Sequence, residues 1–209
     1  MNTVYFVRHG ENPANITRQF SYRLVDYPLT ENGVRQAEET ARYLRDRGIT
    51  AVYASPLKRA VQTAQIIAAP LDLPVMVLEQ FREVNVGALE RQPPTPEAWA
   101  QHDAICAAWA AGVADACFPD GEDYHTLVAR MRDGFCQALD GRDGDSIVVA
   151  AHGGNITATV RSFCANVGDF TLGSIPNCAI IRMRLAVCNG DVHGTLEGWA
   201  ECEHLGRLI

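Results

Sequence analysis

The chain has 209 residues, of which 47% are hydrophobic and 21% charged, and its net charge is −7. That length fits one domain with a sizeable core, and the composition is that of a soluble globular protein. The acidic balance argues against non-specific nucleic-acid binding, which needs a basic surface, and the absence of a long apolar run argues against a membrane span or a secretory leader.

An acidic protein can still bind an anion where a few arginines converge. The seven cysteines are odd in number and form no C-x-x-C pair. They read as reduced thiols of a cytoplasmic protein, several of them small core hydrophobes, and not as a zinc site or disulfide framework.

In chain order, the apolar run Val4 to Val7 reads as a buried strand that ends in Arg8-His9-Gly10-Glu11. The segment from Asn12 to Pro28 reads as an irregular loop long enough to be functional, with Asn15, Arg18 and Arg23 in it. Thr30 caps a helix whose apolar face is Val34, Ala37, Ala41 and Leu44, stopped by Gly48. A second strand, Ala51 to Ala54, leads into Ser55-Pro56. Ser55 reads as an N-cap and Pro56 as the first helical residue, which puts Arg59 in the first turn. Leu73 to Leu78 is a third strand, completing a βαβαβ pattern.

The pattern then breaks. Segment 88–121 reads as a helical cap insertion whose helix starts at Thr95-Pro96 and places Trp99, His102, Cys106 and Trp109 on one face. A further helix carries Tyr124, Leu127, Val128, Met131, Phe135 and Leu139 inward. A strand, Ile147 to Ala151, then ends in His152-Gly153-Gly154, repeating the grammar of the first. Alternating Ile181, Met183, Leu185 and Val187, the turn Asn189-Gly190 and a return strand over Val192 to Trp199 predict a C-terminal β-hairpin. The expected fold is α/β: a three-layer sandwich with a mainly parallel mixed sheet, helices on both faces, the hairpin and the small cap.

In such a sheet chemistry gathers at the carboxyl ends of strands. Two histidines and two arginines at three strand ends make a phosphate pocket the leading reading. Neutral His9 is the nucleophile, Arg8 and Arg59 supply planar forks for the phosphate oxygens, and His152, if protonated, adds a donor. Lys58 points elsewhere on its helix. The leaving group needs an acid, for which Glu83, Glu90 and Glu11 are the candidates.

These residues resemble the histidine phosphatase superfamily, also called phosphoglycerate-mutase-like, along nearly the whole chain. The resemblance rests on Arg8-His9-Gly10-Glu11 followed by Asn15, Pro28 to Ala37, Ser55 to Ala64, Glu83 to Glu90, and His152-Gly153. It implies that His9 becomes a phosphohistidine. It implies that Arg8, Arg59, His152, Asn15 and Gly153 hold the phosphate, with Arg18 nearby, and that Glu83 is the acid and then the base. It implies no metal and no cofactor. The family's Gln-Gly-x-x-Asp is missing between Asn15 and Pro28, and Arg91 stands where a Gly usually follows the second acidic motif. Cofactor-dependent mutases also carry a larger insertion. These departures favour a phosphatase over a phosphoglycerate mutase, with a non-catalytic phospho-ligand binder as the third reading.

A lone histidine is ordinarily structural or solvated, which is the reading for His125, His193 and His204; His102 is read as a cap-core residue. Trp99 and Trp109 read as packing within the cap, and Glu90 as support for a loop. Scant positive charge in the cap points to a small phosphorylated metabolite with one phosphate. Arg18 and Arg23 leave a second anionic contact open, and a homodimer is left open.

Overall fold

The computed structural model describes residues 1–209. Its six-stranded sheet has the order β3-β2-β4-β1-β5-β6. β1 (Asn2–Arg8), β2 (Ile49–Ala54), β3 (Val75–Val77) and β4 (Ser146–Ala151) are parallel. β5 (Ile180–Cys188) runs antiparallel to β1, and β6 (Asp191–Glu201) returns along β5. Asn189 and Gly190 both have positive φ, 53° and 81°, which is what a two-residue hairpin turn demands.

Period-2 alternation divides the strands between two cores. Val4, Phe6, Tyr53, Ile147 and Val149 face one side; Tyr5, Val7, Val52, Val148 and Ala150 face the other. The first side packs under α5 (Tyr124–Ala138) and α6 (Gly153–Phe163), with α4 (Pro96–Ala110) at its border. The second packs under α2 (Glu31–Leu44) and α3 (Lys58–Ala68). A sheet covered on both faces explains the near-continuous apolar runs of β1 and β4. No helix is long and apolar enough to cross a membrane.

Several local expectations change. The segment after β1 is not wholly irregular: α1 (Pro13–Thr17) forms within it, because Asn12 accepts the Ala14 N–H and Pro13 takes the first turn. Helix α2 ends at Leu44, four residues before Gly48, which instead adopts φ +65° in the following turn. Helix α3 starts at Lys58, and Ser55 is not its cap. The Lys58 N–H is capped at a distance by Asp26 Oδ1 at 2.8 Å. β3 is shorter than read, and Val187, next to the hairpin turn, is exposed. All seven cysteines are unpaired thiols, with Cys164 and Cys178 buried.

Candidate active site

Register decides the site. β1 and β4 pair as far as Arg8 opposite Ala151, and β2 and β4 as far as Ala54 opposite Ala150. The next residues, His9, His152 and Ser55, therefore emerge side by side. The His9 N–H donates to Ala151 O at 2.9 Å and the Ser55 N–H to Ala150 O at 2.9 Å. The two imidazole centroids lie 5.1 Å apart. His9, but not the fully buried His152, borders a cavity of about 510 Å³ whose lining also includes Arg8, Asn15, Arg59, Glu83 and Gly153.

Gly10 O accepts from His9 Nδ1 at 2.8 Å, and a carbonyl can only accept, so Nδ1 carries the ring proton. The other ring nitrogen, Nε2, then holds the lone pair, in a side chain that lines the cavity. Burial first, then the charges of Arg59 and Arg8, drive the His9 pKa well below 6.5, which keeps the ring neutral. The backbone needs two glycines here. A Cβ on Gly10 would stand 2.5 Å from Gly33 O, and one on Gly33 would stand 2.1 Å from Glu11 O.

His152 is fully buried and held from both sides. Its Nδ1 accepts from Arg59 Nη2 at 3.0 Å, so its Nε2–H donates to Ser55 Oγ at 2.7 Å. Burial, then Arg59 and His9, push its pKa well below 6.5. The expectation of a protonated His152 donor is therefore corrected. The ring is neutral, has no free N–H, and positions Arg59.

Arg59 also donates to Ser21 Oγ and Ser21 O, each at 2.8 Å. That leaves its Nε–H and one Nη1–H without a protein acceptor. Burial lowers its pKa to about 10, which still leaves it a cation at neutral pH. Arg8 donates to Ile175 O at 2.5 Å, while its buried Nε has no partner at all. An orphaned guanidinium N–H costs free energy unless an acceptor arrives. Asn15 Oδ1 takes donors from the Asn12 backbone, the Asn12 side chain and Asn177, at 3.0 to 3.1 Å, and its amide NH₂ is left without a protein acceptor.

Glu83 lies at the start of α6. Its Oε1 accepts from the N–H groups of Val84 (2.8 Å) and Asn155 (3.1 Å), and its Oε2 accepts from Gly154 at 3.3 Å. Oε2 is thus the less committed oxygen. Asn155 Nδ2 donates to Phe81 O and Arg82 O, fixing the loop that carries Glu83. A Cβ on Gly154 would lie 2.9 Å from Glu83 Oε1 and 2.7 Å from Val84 Cγ2. Gly154→Ala is therefore expected to displace this carboxyl and lower kcat about 10- to 100-fold with the fold retained, measured by steady-state kinetics beside circular dichroism.

The remaining candidates lie elsewhere. Glu11 binds Thr30 Oγ1 and Asn32 Nδ2 at the start of α2. Glu90 Oε1 accepts four successive backbone N–H groups, Tyr22 to Val25, at 2.6 to 3.2 Å, and so folds the loop that presents Ser21. Lys58 is exposed and does not line the cavity. Arg18 is also outside the lining, with its guanidinium 5.3 Å from the Trp99 ring centroid. Arg23 is exposed and 3.9 Å from Glu79. His125 and His193 are solvated, and His204 stacks on Tyr43. His102 packs against Trp99 and Trp109 against Phe118 and Tyr124, and all three of His102, Trp99 and Trp109 line the cavity. No three His, Cys, Asp or Glu side chains cluster as metal ligands would.

Two buried neutral imidazoles have a consequence for stability. Each folded-state pKa lies below the unfolded 6.5, so each ring's contribution is full above pH 6.5 and declines below it, down to the folded pKa. The slope is at most about 1.4 kcal/mol per pH unit per ring. Urea midpoints are expected to fall between pH 7 and 5.5, and to fall less in His152→Asn.

Residues 4–195 match the family described as the histidine phosphatase superfamily (branch 1). A probable phosphoglycerate mutase GpmB of Yersinia pestis (strain Pestoides F) is 33% identical over 194 residues, covering 90% of this chain and 83% of that protein. A mycobacterial glucosyl-3-phosphoglycerate phosphatase, solved in complex with VO3, superposes with a TM-score of 0.73 at 25% identity, over 96% of this chain and 100% of its own. Bacillus stearothermophilus YhfR shares the fold, with a TM-score of 0.76 at 22% identity over 98% of this chain and 100% of its own. With a match over nearly its whole length, the chain belongs to the histidine phosphatase superfamily, branch 1.

Proposed function

We propose that the chain is a metal-independent cytoplasmic phosphatase that hydrolyses a small phosphomonoester through a phosphohistidine at His9, with segment 88–121 as a cap over the site. The observation that carries this reading is the buried, unpartnered Nε of Arg8 in the cavity that also holds a neutral His9. A phosphoryl group supplies the acceptor that Arg8, Arg59 and the Asn15 amide lack.

His9 Nε2 forms a bond to phosphorus as the ester P–O bond breaks, while Arg8 and Arg59 balance the charge on the equatorial oxygens. Glu83, through Oε2, gives its proton to the leaving oxygen. It then takes a proton from the water that attacks the phosphohistidine, releasing inorganic phosphate and neutral His9. His152 and Ser55 hold Arg59 in place.

The 33% identity to a probable phosphoglycerate mutase favours the mutase as the second reading. Against it, Arg161 is the one lining arginine besides Arg8 and Arg59, and it is exposed, which is poor provision for the second phosphate of a bisphosphorylated intermediate. The deciding experiment supplies 3-phosphoglycerate with a bisphosphoglycerate primer in the presence of a chelator, beside an aryl phosphate. Free phosphate from the esters is expected. Isomer without free phosphate establishes the mutase, and phosphate binding without any turnover establishes the binder.

A further inference from the structure

Much of the cavity lining is aromatic. Phe20, Trp99, His102, Trp109 and Tyr124 line the cavity together with Val84, Val86 and Ala158. These rings are locked. Trp99 Nε1 donates to Arg18 O at 3.0 Å, and Arg18 packs over the same ring. Trp109 Nε1 donates to Ala116 O at 2.6 Å, and the Tyr124 hydroxyl is bonded to Ser162 Oγ at 2.9 Å. Phe20 lies 4.4 Å from Trp99 at 30°, and Trp109 lies 5.6 Å from Tyr124.

With their polar edges taken by protein partners, these side chains present mainly apolar ring surface to an occupant. A short, highly charged alcohol finds little here. Arg161 is exposed, so an ion pair with it is weakened by solvent. A flat ring finds apolar ring surface to lie against, preorganised by the hydrogen bonds that hold Trp99, Trp109 and Tyr124.

We propose that the leaving group of the substrate carries a planar aromatic or heteroaromatic ring that lies against Trp99 and Trp109 while its single phosphate meets Arg8, His9 and Arg59. This deepens the phosphatase reading and rests on it for the position of the phosphate.

The test compares benzyl phosphate, glycerol 3-phosphate and 3-phosphoglycerate, all esters of non-phenolic alcohols, on wild type, Trp99→Leu and Trp109→Leu. Dissociation constants are measured in parallel by calorimetry on the wild type with slowly turned-over esters and on His9→Ala with all three. Benzyl phosphate is expected to exceed glycerol 3-phosphate about tenfold in kcat/KM, and at least one tryptophan variant should shrink that ratio severalfold. A wild-type ratio near one, a preference for 3-phosphoglycerate, or a ratio untouched by both variants overturns the proposal. If no ester is turned over, the hydrolytic reading fails, and the ratio of dissociation constants decides the ring site by the same criteria.

Discussion

His9→Ala is expected to lower kcat by roughly 10⁴-fold or more on any phosphomonoester the wild type hydrolyses, because it deletes the atom that bonds to phosphorus in the proposed mechanism. The larger part of the fold should survive: the ring lies at the end of β1, and its only close backbone bond is to its own neighbour, Gly10. Quenching the wild type during turnover of a radiolabelled ester should trap protein-bound phosphate that is stable in alkali and lost in acid. The variant should trap none. Because burial and two arginines keep His9 neutral well below pH 6.5, the acid limb of kcat/KM should not have its midpoint at 6.5. Glu83→Gln separates the roles. In the proposed mechanism it keeps the nucleophile but loses the transferable proton, so it should slow turnover by about 10²- to 10⁴-fold and still label. Wild-type kinetics in His9→Ala would end the phosphohistidine account.

Arg130→Met is expected to cost about 3–5 kcal/mol of stability, the range for breaking a buried ion pair by removing one partner. At this chain length that is a fall of roughly 10 °C in Tm. Glu122 is almost fully buried, 6% exposed, and is met by Arg130 Nε at 2.9 Å and Nη2 at 2.6 Å. The same guanidinium donates to Gln80 O, Arg82 O and Glu83 O, while Glu122 Oε1 also accepts the Asn85 N–H. One ion pair thus organises the loop that carries Glu83. Scanning calorimetry and kcat should fall together. Pairing the change with Glu122→Leu should restore only part of the stability, since the Gln80 and Glu83 carbonyls and the Asn85 N–H stay unpaired while Arg82 O keeps its Asn155 donor. Unchanged Tm and unchanged kcat in Arg130→Met would remove this role.

Neither Glu122 nor Arg130 stands out in the sequence, and the reason is physical. Each is an ordinary charged residue near a helix start or on a helix face, where charge is usually solvated. Their pairing forms only when α5 docks against the loop after β3. Ser55 is a similar case: Ser-Pro reads as a helix start, yet the hydroxyl serves His152 across two strands. Asn12 could have been found, because Asn-Pro is a capping signal, and it was hidden only by reading 12–28 as one loop. Glu90 was legible as a loop support, though not as the acceptor of four consecutive N–H groups.

What the amino-acid order determined by itself was the alternation of buried strands and amphipathic helices, the turn at Asn189-Gly190, and the placing of Arg8-His9 and His152 directly after apolar strands. Those are local properties, set by side-chain periodicity and backbone freedom within a few residues. Only the tertiary structure decided the charge states and orientations. The register of β1 against β4 set the two imidazoles 5.1 Å apart, and burial beside Arg59 made both neutral. It turned His152 from an expected donor into the support of an arginine. It also folded Trp99 and Trp109 over the cavity, because proximity between distant segments and the loss of water around them exist only once the chain has closed.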